Sequence, residues 1–270
     1  MKYYITLLLA AALLTGCKKE PKATPEVTDT TTIEAPDTPA PAALAFANKQ
    51  YSKKSTLPCK NLCTMVTIDV PMAEGGSAAA DSINHSLFTV VRGIVYFGEK
   101  PTNGKSYEEV MAAFIKSYDD LMKKYNDEDM PWEAKIKGMV AYKSDSLLNI
   151  KLNYYMFTGG AHGFEGDRSL LFNPATGKML KRSDIFKDER AFTALAEKKF
   201  RAQYKIPAGK SINSTGLFFD KDKFALPNAI FFSENGVQLV YNTSEVAATA
   251  EGRKEVLLPY SEVGQFLKVK

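Results

Sequence analysis

Residues 132–157 read WEAKIKGMVAYKSDSLLNIKLNYYMF, and this stretch decides the fold class. Residues 132–143 and 147–157 alternate polar with apolar, β-branched and aromatic side chains, which is typical of strands with one buried face. The connection between them, Ser144-Asp145-Ser146, is short and polar, as a hairpin requires. We therefore expect two neighbouring antiparallel strands here.

Amphipathic helices are expected on the N-terminal side of this hairpin. Residues 77–97 place apolar side chains at helical spacing, with Ser77 available as the N-cap. Residues 106–125 begin with Ser106 and Glu109, the spacing of a capping box. Before both helices, residues 65–71 alternate and end at a proline, which indicates a strand. The hairpin is therefore preceded by one strand and two helices.

The C-terminal side mixes further strands with a helix. We predict strands at 167–172, 224–232, 237–242 and 254–258, a turn at 173–177, a short turn capped by Ser183 or Asp184, and a helix at 191–204. Helices and hairpins without regular βαβ alternation favour an α+β fold, with antiparallel sheets flanked by helices. We divide it into two intimately packed subdomains, residues 48–149 and 150–270.

The N-terminus has the features of a bacterial lipoprotein signal. Lys2 supplies a positive charge, residues 5–14 are apolar, and Gly16 precedes Cys17. The stretch 14–17 (LTGC) resembles a lipobox, which implies that residues 1–16 are removed and that Cys17 carries acyl chains such as palmitate. Several chains anchor a protein stably. Because Lys18 rather than Asp follows the cysteine, we expect a location in the cell envelope, with the outer membrane favoured. Whether the protein faces the periplasm or the cell surface stays open.

Residues 17–47 form an expected tether rich in Pro, Thr and Ala, which lacks the apolar periodicity of a core.

The formal net charge of the chain is +4. This surplus is mild and the basic residues are dispersed, so nucleic acid is not an expected partner.

Two cysteines, Cys59 and Cys63, remain once Cys17 is assigned to lipid. Export to an oxidising compartment favours a disulfide between them. Such a bridge needs a turn at residues 60–62, because residues four apart in an extended strand lie too far apart. Free thiols are the alternative. A metal site is not expected, since further cysteine or histidine ligands are missing nearby.

Residues 158–163 (TGGAHG) place three glycines around His162, which implies unusual backbone geometry. His162 could be a general base or a ligand, with Asp184 as an acid partner. The other interpretation is a structural imidazole in a tight loop, which we favour because the sequence identifies no placed partner. No G-x-S-x-G, H-E-x-x-H or phosphate-loop motif occurs in the sequence. We predict no cofactor and no metal.

Aromatic side chains near this motif offer a second kind of candidate site. Tyr154, Tyr155, Phe157 and Tyr241 could form a ligand-contact surface together with His162. Alternating aromatics in strands are, however, more often core residues. Both interpretations stay open at this point.

An ordered set of short motifs resembles domain of unknown function 3298. The set contains residues 154–163 (YYMFTGGAHG), 172–178 (FNPATGK), 183–186 (SDIF), 224–226, 235–237, 241–242, 245–247 and 258–263, and it spans about residues 150–265. Upstream, the strand ending at Pro71 and the helix with Asn84 look like the companion domain that usually precedes it. This pair is found in the extracellular region of a lysozyme-sensing anti-sigma factor, beside a peptidoglycan deacetylase domain, and in many lipoproteins.

The resemblance implies a pair of α+β subdomains used for envelope binding or sensing, without an established catalytic residue. We expect a non-enzymatic module that binds an envelope polymer, such as peptidoglycan or another glycan, or a secreted protein such as a lysozyme. The net positive charge does not suit a cationic lysozyme. The alternatives are a cell-wall hydrolase using His162 with an acid, and a structural subunit of an envelope assembly. Only His85 and His162 occur, too few for the Asp-His-His zinc site of polysaccharide deacetylases.

Overall fold

The protein folds around two β-sheets, each with helices packed against it. The computed structural model describes residues 44–125 and 130–270. In these ranges the strands are β1 (Phe46–Lys54), β2 (Met65–Ala73), β3 (Glu133–Lys143), β4 (Leu148–Phe157), β5 (Phe164–Phe172), β6 (Ala229–Ser233), β7 (Gly236–Tyr241) and β8 (Lys254–Pro259). The helices are α1 (Ala78–Arg92), α2 (Tyr107–Lys124), α3 (Arg182–Ile185), α4 (Glu189–Gln203) and α5 (Tyr260–Val263). The predicted α+β class is confirmed.

The first sheet contains β1 to β5 in chain order. Its neighbouring strands are antiparallel except β2 and β3, which are parallel. The parallel pair arises because α1 and α2 lie between these strands and return the chain to the same end of the sheet. The predicted hairpin is present as β3 and β4, in which Glu133 pairs with Phe157 and Lys143 with Leu148.

Helices α1 and α2 cover one face of this sheet. Each begins at the predicted serine, because Ser77 Oγ accepts the Ala80 amide (3.1 Å) and Ser106 Oγ accepts the Glu109 amide (3.2 Å). The Glu109 carboxylate accepts the amide of Lys105 (2.7 Å) rather than that of Ser106. The covered face is a continuous apolar core that includes Val66, Ile68, Ile83, Leu87, Phe114, Ile136, Ile150 and Leu152.

The second sheet has the order β6-β7-β8 and packs against α4. Its strands are antiparallel, and Ser233 pairs with Gly236 across the short turn between β6 and β7. Helix α4 starts two residues before its predicted first residue, since Asp188 is the N-cap and accepts the Ala191 amide (2.9 Å). The core of this part is dominated by aromatic rings, among them Phe192, Phe200, Phe219 and Tyr241.

Polar side chains of β4 and β5 join the first sheet to β6. Asn149 is fully buried; its Oδ1 accepts the Phe232 amide (2.9 Å), and its Nδ2 donates to Ser169 Oγ (3.1 Å). Ser169 Oγ in turn donates to the Ile230 carbonyl (2.5 Å). The predicted subdomain boundary between residues 149 and 150 falls inside β4, and the sheet continues to Phe172. The break between the two layers therefore follows β5, because β4 must pair with β3 and β5.

The predictions for the N-terminus concern residues outside the described ranges. The signal peptide (1–16), Cys17 and the tether as far as residue 43 are all in this category. Strand β1 begins at Phe46, two residues before the predicted start of the folded part at residue 48. None of the helices described is long and apolar enough to cross a membrane. The lipid anchor stays a prediction.

Candidate functional site

The glycine-rich stretch 158–163 is the turn between β4 and β5. Gly159 (φ +100°) and Gly160 (φ +94°) occupy the positive-φ region that favours glycine. Gly163 serves a different purpose, since a Cβ at this position would overlap the ring of Tyr155. Gly166 pairs with Tyr154 across the strands, and a Cβ there would lie 2.6 Å from the Tyr154 hydroxyl. The glycines therefore form a tight turn and make room for two tyrosine rings.

A cleft of about 650 Å³ lies beside this turn, at one end of the first sheet. Tyr155 and Phe157 of β4 and Glu133 of β3 share the sheet face opposite the helices, as their register shows. The remaining lining residues come from β1, β2 and the adjoining loops: Lys54, Asn61, Leu62, Cys63, Met65, Pro131, Trp132, Ala161, His162 and Gly163. Its volume is typical of sites for small ligands. The cleft thus has an aromatic surface with polar groups around it.

The disulfide loop forms one wall of the cleft. Cys59 and Cys63 are bridged, with their Cα atoms 5.3 Å apart. The amide of Ser55 donates to the Thr64 carbonyl (2.9 Å) and closes the base of the loop. Leu62 at its tip is 74% exposed. The bridge therefore holds an apolar side chain in solvent at the edge of the cleft, a position that burial energy alone does not favour.

The sole tryptophan of the chain, Trp132, lines the cleft and packs into the core beneath it. Trp132 is 2% exposed, and its ring packs against Phe97, Phe114 and Tyr118, with centroids 4.4, 5.6 and 5.6 Å away. Its amide donates to the buried hydroxyl of Thr64 (2.8 Å). This hydrogen bond connects the start of β3 to the end of the disulfide loop.

His162 lies in the cleft but not beside the acid proposed as its partner. Its side chain is exposed, and Nδ1 lies 3.2 Å from the carbonyl oxygen of Gly163. Asp184 is in α3, beyond the far end of β5, where its carboxylate accepts the amide of Lys181 (3.0 Å). The pairing of His162 with Asp184 is therefore not formed, because β5 carries the chain away from the cleft. Among the residues described, no three metal-ligating side chains converge.

The four aromatic candidates separate into two groups. Tyr155 and Phe157 line the cleft with His162. Tyr154 is 4% exposed and belongs to the core under α1 and α2, whereas Tyr241 is 1% exposed and donates to the Ala225 carbonyl (2.7 Å) in the second core. Tyr154 and Tyr241 are therefore core residues. For Tyr154 the reason is strand alternation, which directs its side chain to the face opposite Tyr155.

Tyr241→Phe is expected to reduce the sensitivity of the fold to alkali. Burial, followed by the charge of Glu245, raises the pKa of Tyr241 above its ordinary value. The unfolded chain thus loses this proton first, so the contribution to stability is complete below about pH 10 and is lost as the pH rises further. Urea unfolding at about pH 8 and about pH 11 should show a smaller loss for Tyr241→Phe than for wild type. Tyr125→Phe, at a half-exposed tyrosine, is the control, and equal losses in all three proteins would refute the explanation.

Most of the cleft residues were not predicted from the sequence. Leu62, Met65 and Trp132 were assigned to a loop and to strand starts, with no role in a site. The available signal was the cysteine pair, because a bridged loop of this size beside a strand end presents its tip residues to solvent. The contacts that bring this loop to the turn at 158–163 join residues about a hundred positions apart, and local patterns do not specify them.

Two family matches divide the chain. Residues 58–165 match the family described as Deacetylase PdaC, and residues 183–261 match the family described as Protein of unknown function (DUF3298). The chain combines a PdaC-like domain with a DUF3298 domain. The first match contains every cleft residue except Lys54. It also contains the glycine-rich turn and most of the turn's strand pair, although this turn was predicted to belong to the part that resembles domain 3298. The gap between the matches contains the end of β5, which agrees with a division after β5.

Two solved structures have the same fold. A member of the DUF3298 family from Bacteroides fragilis NCTC 9343 is 23% identical, with a TM-score of 0.65, and the match covers 83% of this chain and 94% of that one. A DUF3298 family protein from Pseudomonas aeruginosa PAO1 is 20% identical, with a TM-score of 0.60 and the same coverage. No curated protein matches the chain. Together the matches indicate a PdaC-like stretch followed by a DUF3298-like stretch in a shared fold.

Proposed function

We propose that this protein is a non-enzymatic binding module of the cell envelope and that the cleft of the PdaC-like domain is its binding site. One observation carries the proposal: two constrained loops, the disulfide loop and the turn at 158–163, border an open cleft of about 650 Å³ with Tyr155 and Phe157 on its surface. Rigid walls lower the entropy that a ligand must lose on binding. Aromatic surfaces with nearby polar groups are typical of ligand sites.

Binding is favoured over hydrolysis by the surroundings of His162. A general base needs a partner that fixes its tautomer and stabilises the protonated ring. The Nδ1 atom of His162 lies next to a backbone carbonyl, and the carboxylate of Asp184 accepts a backbone amide elsewhere. His162 therefore fits a ligand contact: an exposed imidazole that can donate or accept a hydrogen bond at the edge of the cleft.

The proposed ligand is an envelope polymer, and the proposed position is at a membrane surface, held there through acylated Cys17. The resemblance to domains found beside a peptidoglycan deacetylase domain supports a cell-wall context. About thirty residues separate Cys17 from β1, and a chain of this length can reach several tens of ångströms from its anchor. A module held in this way can stay bound to the membrane while it contacts a polymer beyond it.

Leu62→Ser and Phe157→Ala are expected to weaken binding to insoluble peptidoglycan. Each removes an apolar contact in the cleft, and hot-spot truncations commonly cost at least about 2 kcal/mol, or about thirtyfold in Kd. Leu62 is 74% exposed, so its replacement should not disturb folding. Co-sedimentation of the purified protein with peptidoglycan measures the effect. Leu257→Ser, at an exposed leucine of β8 that does not line the cleft, is the matched control and should sediment like wild type.

Comparing wild type with His162→Ala, both in peptidoglycan binding and in product release, distinguishes a binding function from an enzymatic one. His162→Ala should fold normally and bind less tightly, while wild type should release no soluble product from peptidoglycan. Turnover by wild type that disappears in His162→Ala would establish the hydrolase instead. Equal sedimentation of wild type, Leu62→Ser and Phe157→Ala would show that the cleft is not the binding site.

Removing the disulfide should weaken binding and stability together. Cys59→Ser breaks the bridge without changing the cleft lining, because Cys63 but not Cys59 faces the cleft. Closing so short a loop is worth about 2 kcal/mol in the chain-entropy model. Urea unfolding and co-sedimentation of wild type, with and without dithiothreitol, should reproduce the difference between wild type and Cys59→Ser. A reductant effect on the variant itself would point to another cause.

A further inference from the structure

A second hollow adjoins the cleft and is lined by lysines. It has a volume of about 310 Å³, lies between the end of β1 and helix α2, and is lined by Lys53, Lys54, Lys116 and Lys123 together with Thr56, Ala112, Ile115, Asp119 and Asp120. Lys54 lines both hollows. Its side chain is on the cleft face of β1, since Lys54 pairs with Met65, whereas Lys53 pairs with Val66 and faces the helices. The two hollows therefore meet at the edge of the sheet.

The acidic residues of the second hollow are already engaged. Asp119 Oδ1 accepts the hydroxyl of Ser55 (2.5 Å), and Asp120 forms an ion pair with Lys116 (2.5 Å). The hydrogen bond from Lys116, together with the charges of Lys116 and Lys123, lowers the pKa of Asp120, so this carboxyl stays ionised and paired. Among the residues described, no acidic side chain pairs with Lys53 or Lys54, and both are exposed. The hollow therefore carries a net positive charge with two ammonium groups available.

We propose that the two hollows form one composite site for a carboxylate-bearing glycan, whose sugar rings lie against Tyr155 and Phe157 while its carboxylates reach Lys53 and Lys54. This inference rests on the proposed function and adds the ligand class. An apolar surface alone would accept neutral and charged chains alike, whereas paired ammonium groups favour an anionic one. Lysine is suited to this contact, because it is a flexible point charge with three donors.

The same charges argue against a cationic protein as the ligand. A basic partner would bring like charges to Lys53 and Lys54, which slows encounter and weakens docking. A basic partner that contacted Leu62 and Phe157 would also lie close to the positive charges of Lys53 and Lys54, which repel it. A single anionic polymer chain can contact the aromatic side chains of the cleft and the lysines of the second hollow at the same time.

Fluorescence of the sole tryptophan offers a direct test, because Trp132 lines the cleft. The probes are soluble muropeptides, which carry free carboxylates, and chitotetraose, which is neutral. Each is titrated into the full-length protein at low and at raised NaCl. The variant is Lys54→Gln, and the control is Lys49→Gln, an exposed lysine of the same strand that lines neither hollow.

Muropeptides are expected to bind more tightly than chitotetraose. Lys54→Gln should raise the Kd for muropeptides about tenfold, the effect of one hydrogen bond to a charged group, and should change the Kd for chitotetraose far less. Raised salt should weaken muropeptide binding by wild type more than by Lys54→Gln. Equal affinity for both probes, or equal effects of Lys54→Gln and Lys49→Gln, would overturn the inference while the proposed binding function stands. Absence of binding to either probe, together with failure to sediment with peptidoglycan, would remove both.

Discussion

Gly177→Ala is expected to lower the free energy of unfolding by about 3 kcal/mol or more. Gly177 has φ +67°, and a Cβ at this position would overlap the carbonyl group of Ala79 at the start of α1. The Ser82 hydroxyl also donates to the Gly177 carbonyl (2.9 Å), so the turn after β5 is held directly against that helix. The substitution adds backbone strain and forces the helix and the turn apart.

Gly209→Ala is the control that measures the backbone strain of a positive φ without the steric overlap present at Gly177. Gly209 has φ +73°, nearly the same as Gly177, but a Cβ there would meet nothing within 4 Å. Its replacement should cost only about 1 kcal/mol, the usual penalty of a left-handed alanine. Urea unfolding of both variants at one pH gives the comparison. Equal losses would mean that the turn does not depend on its close approach to α1.

Asp167→Ala should produce the second large effect, a loss of about 2 kcal/mol in the free energy of unfolding. The side chain of Asp167 is 2% exposed and meets Lys151 Nζ (2.8 Å) and Arg253 Nη1 (3.2 Å). It also accepts a hydrogen bond from Asn153 Nδ2 (3.1 Å). Breaking a buried pair costs more when the partner stays buried, and here Lys151 and Arg253 are 30% and 52% exposed, which moderates the penalty.

Glu165→Ala on the same strand is the matched control for this carboxylate. Glu165 is exposed, so its removal should change stability by less than about 0.5 kcal/mol. Thermal unfolding of Asp167→Ala should also become less cooperative, because Asp167 belongs to β5 while Arg253 precedes β8 in the second sheet. Identical stabilities for Asp167→Ala and Glu165→Ala would show that this contact does not join the sheets.

Elements with strong local signals were predictable from sequence. The hairpin of β3 and β4 and the starts of α1 and α2 follow from alternation and from serine caps, which act within a few residues. Strand β1 was missed because FANKQYSKK is polar, with its side chains mostly half-buried or exposed. An edge strand gains its place from pairing with β2, and charged edges are a common protection against aggregation.

The subdomain boundary shows the limit of local patterns. A chain break after residue 149 agreed with the motif order, but β4 completes its hydrogen bonds only between β3 and β5. The parallel pairing of β2 with β3 was equally invisible, since it depends on how two intervening helices return the chain. Such pairings are decided by the packed core rather than by propensity.

The candidate site was predictable in part. Tyr155, Phe157 and His162 were selected from an unusual stretch and do share a cleft, whereas Asp184 was selected by type and lies elsewhere. The glycines of TGGAHG indicated unusual backbone geometry, and the structure adds a steric reason for Gly163, where a Cβ would overlap the ring of Tyr155. Lys54 and Leu62 could not be found, because only the folded chain brings them to the turn.

The central claim is that ligands bind between the disulfide loop and the turn at 158–163. Backbone amide chemical shifts of the isotope-labelled protein, recorded as muropeptides are added, test it most directly. We predict that the largest changes occur in residues 59–63 and 158–163, with the amides of Gly159 and Gly160 among them, and that β6 to β8 are unaffected. Changes confined to the second sheet, or none at muropeptide concentrations that saturate co-sedimentation, would contradict the assignment of the cleft as the binding site.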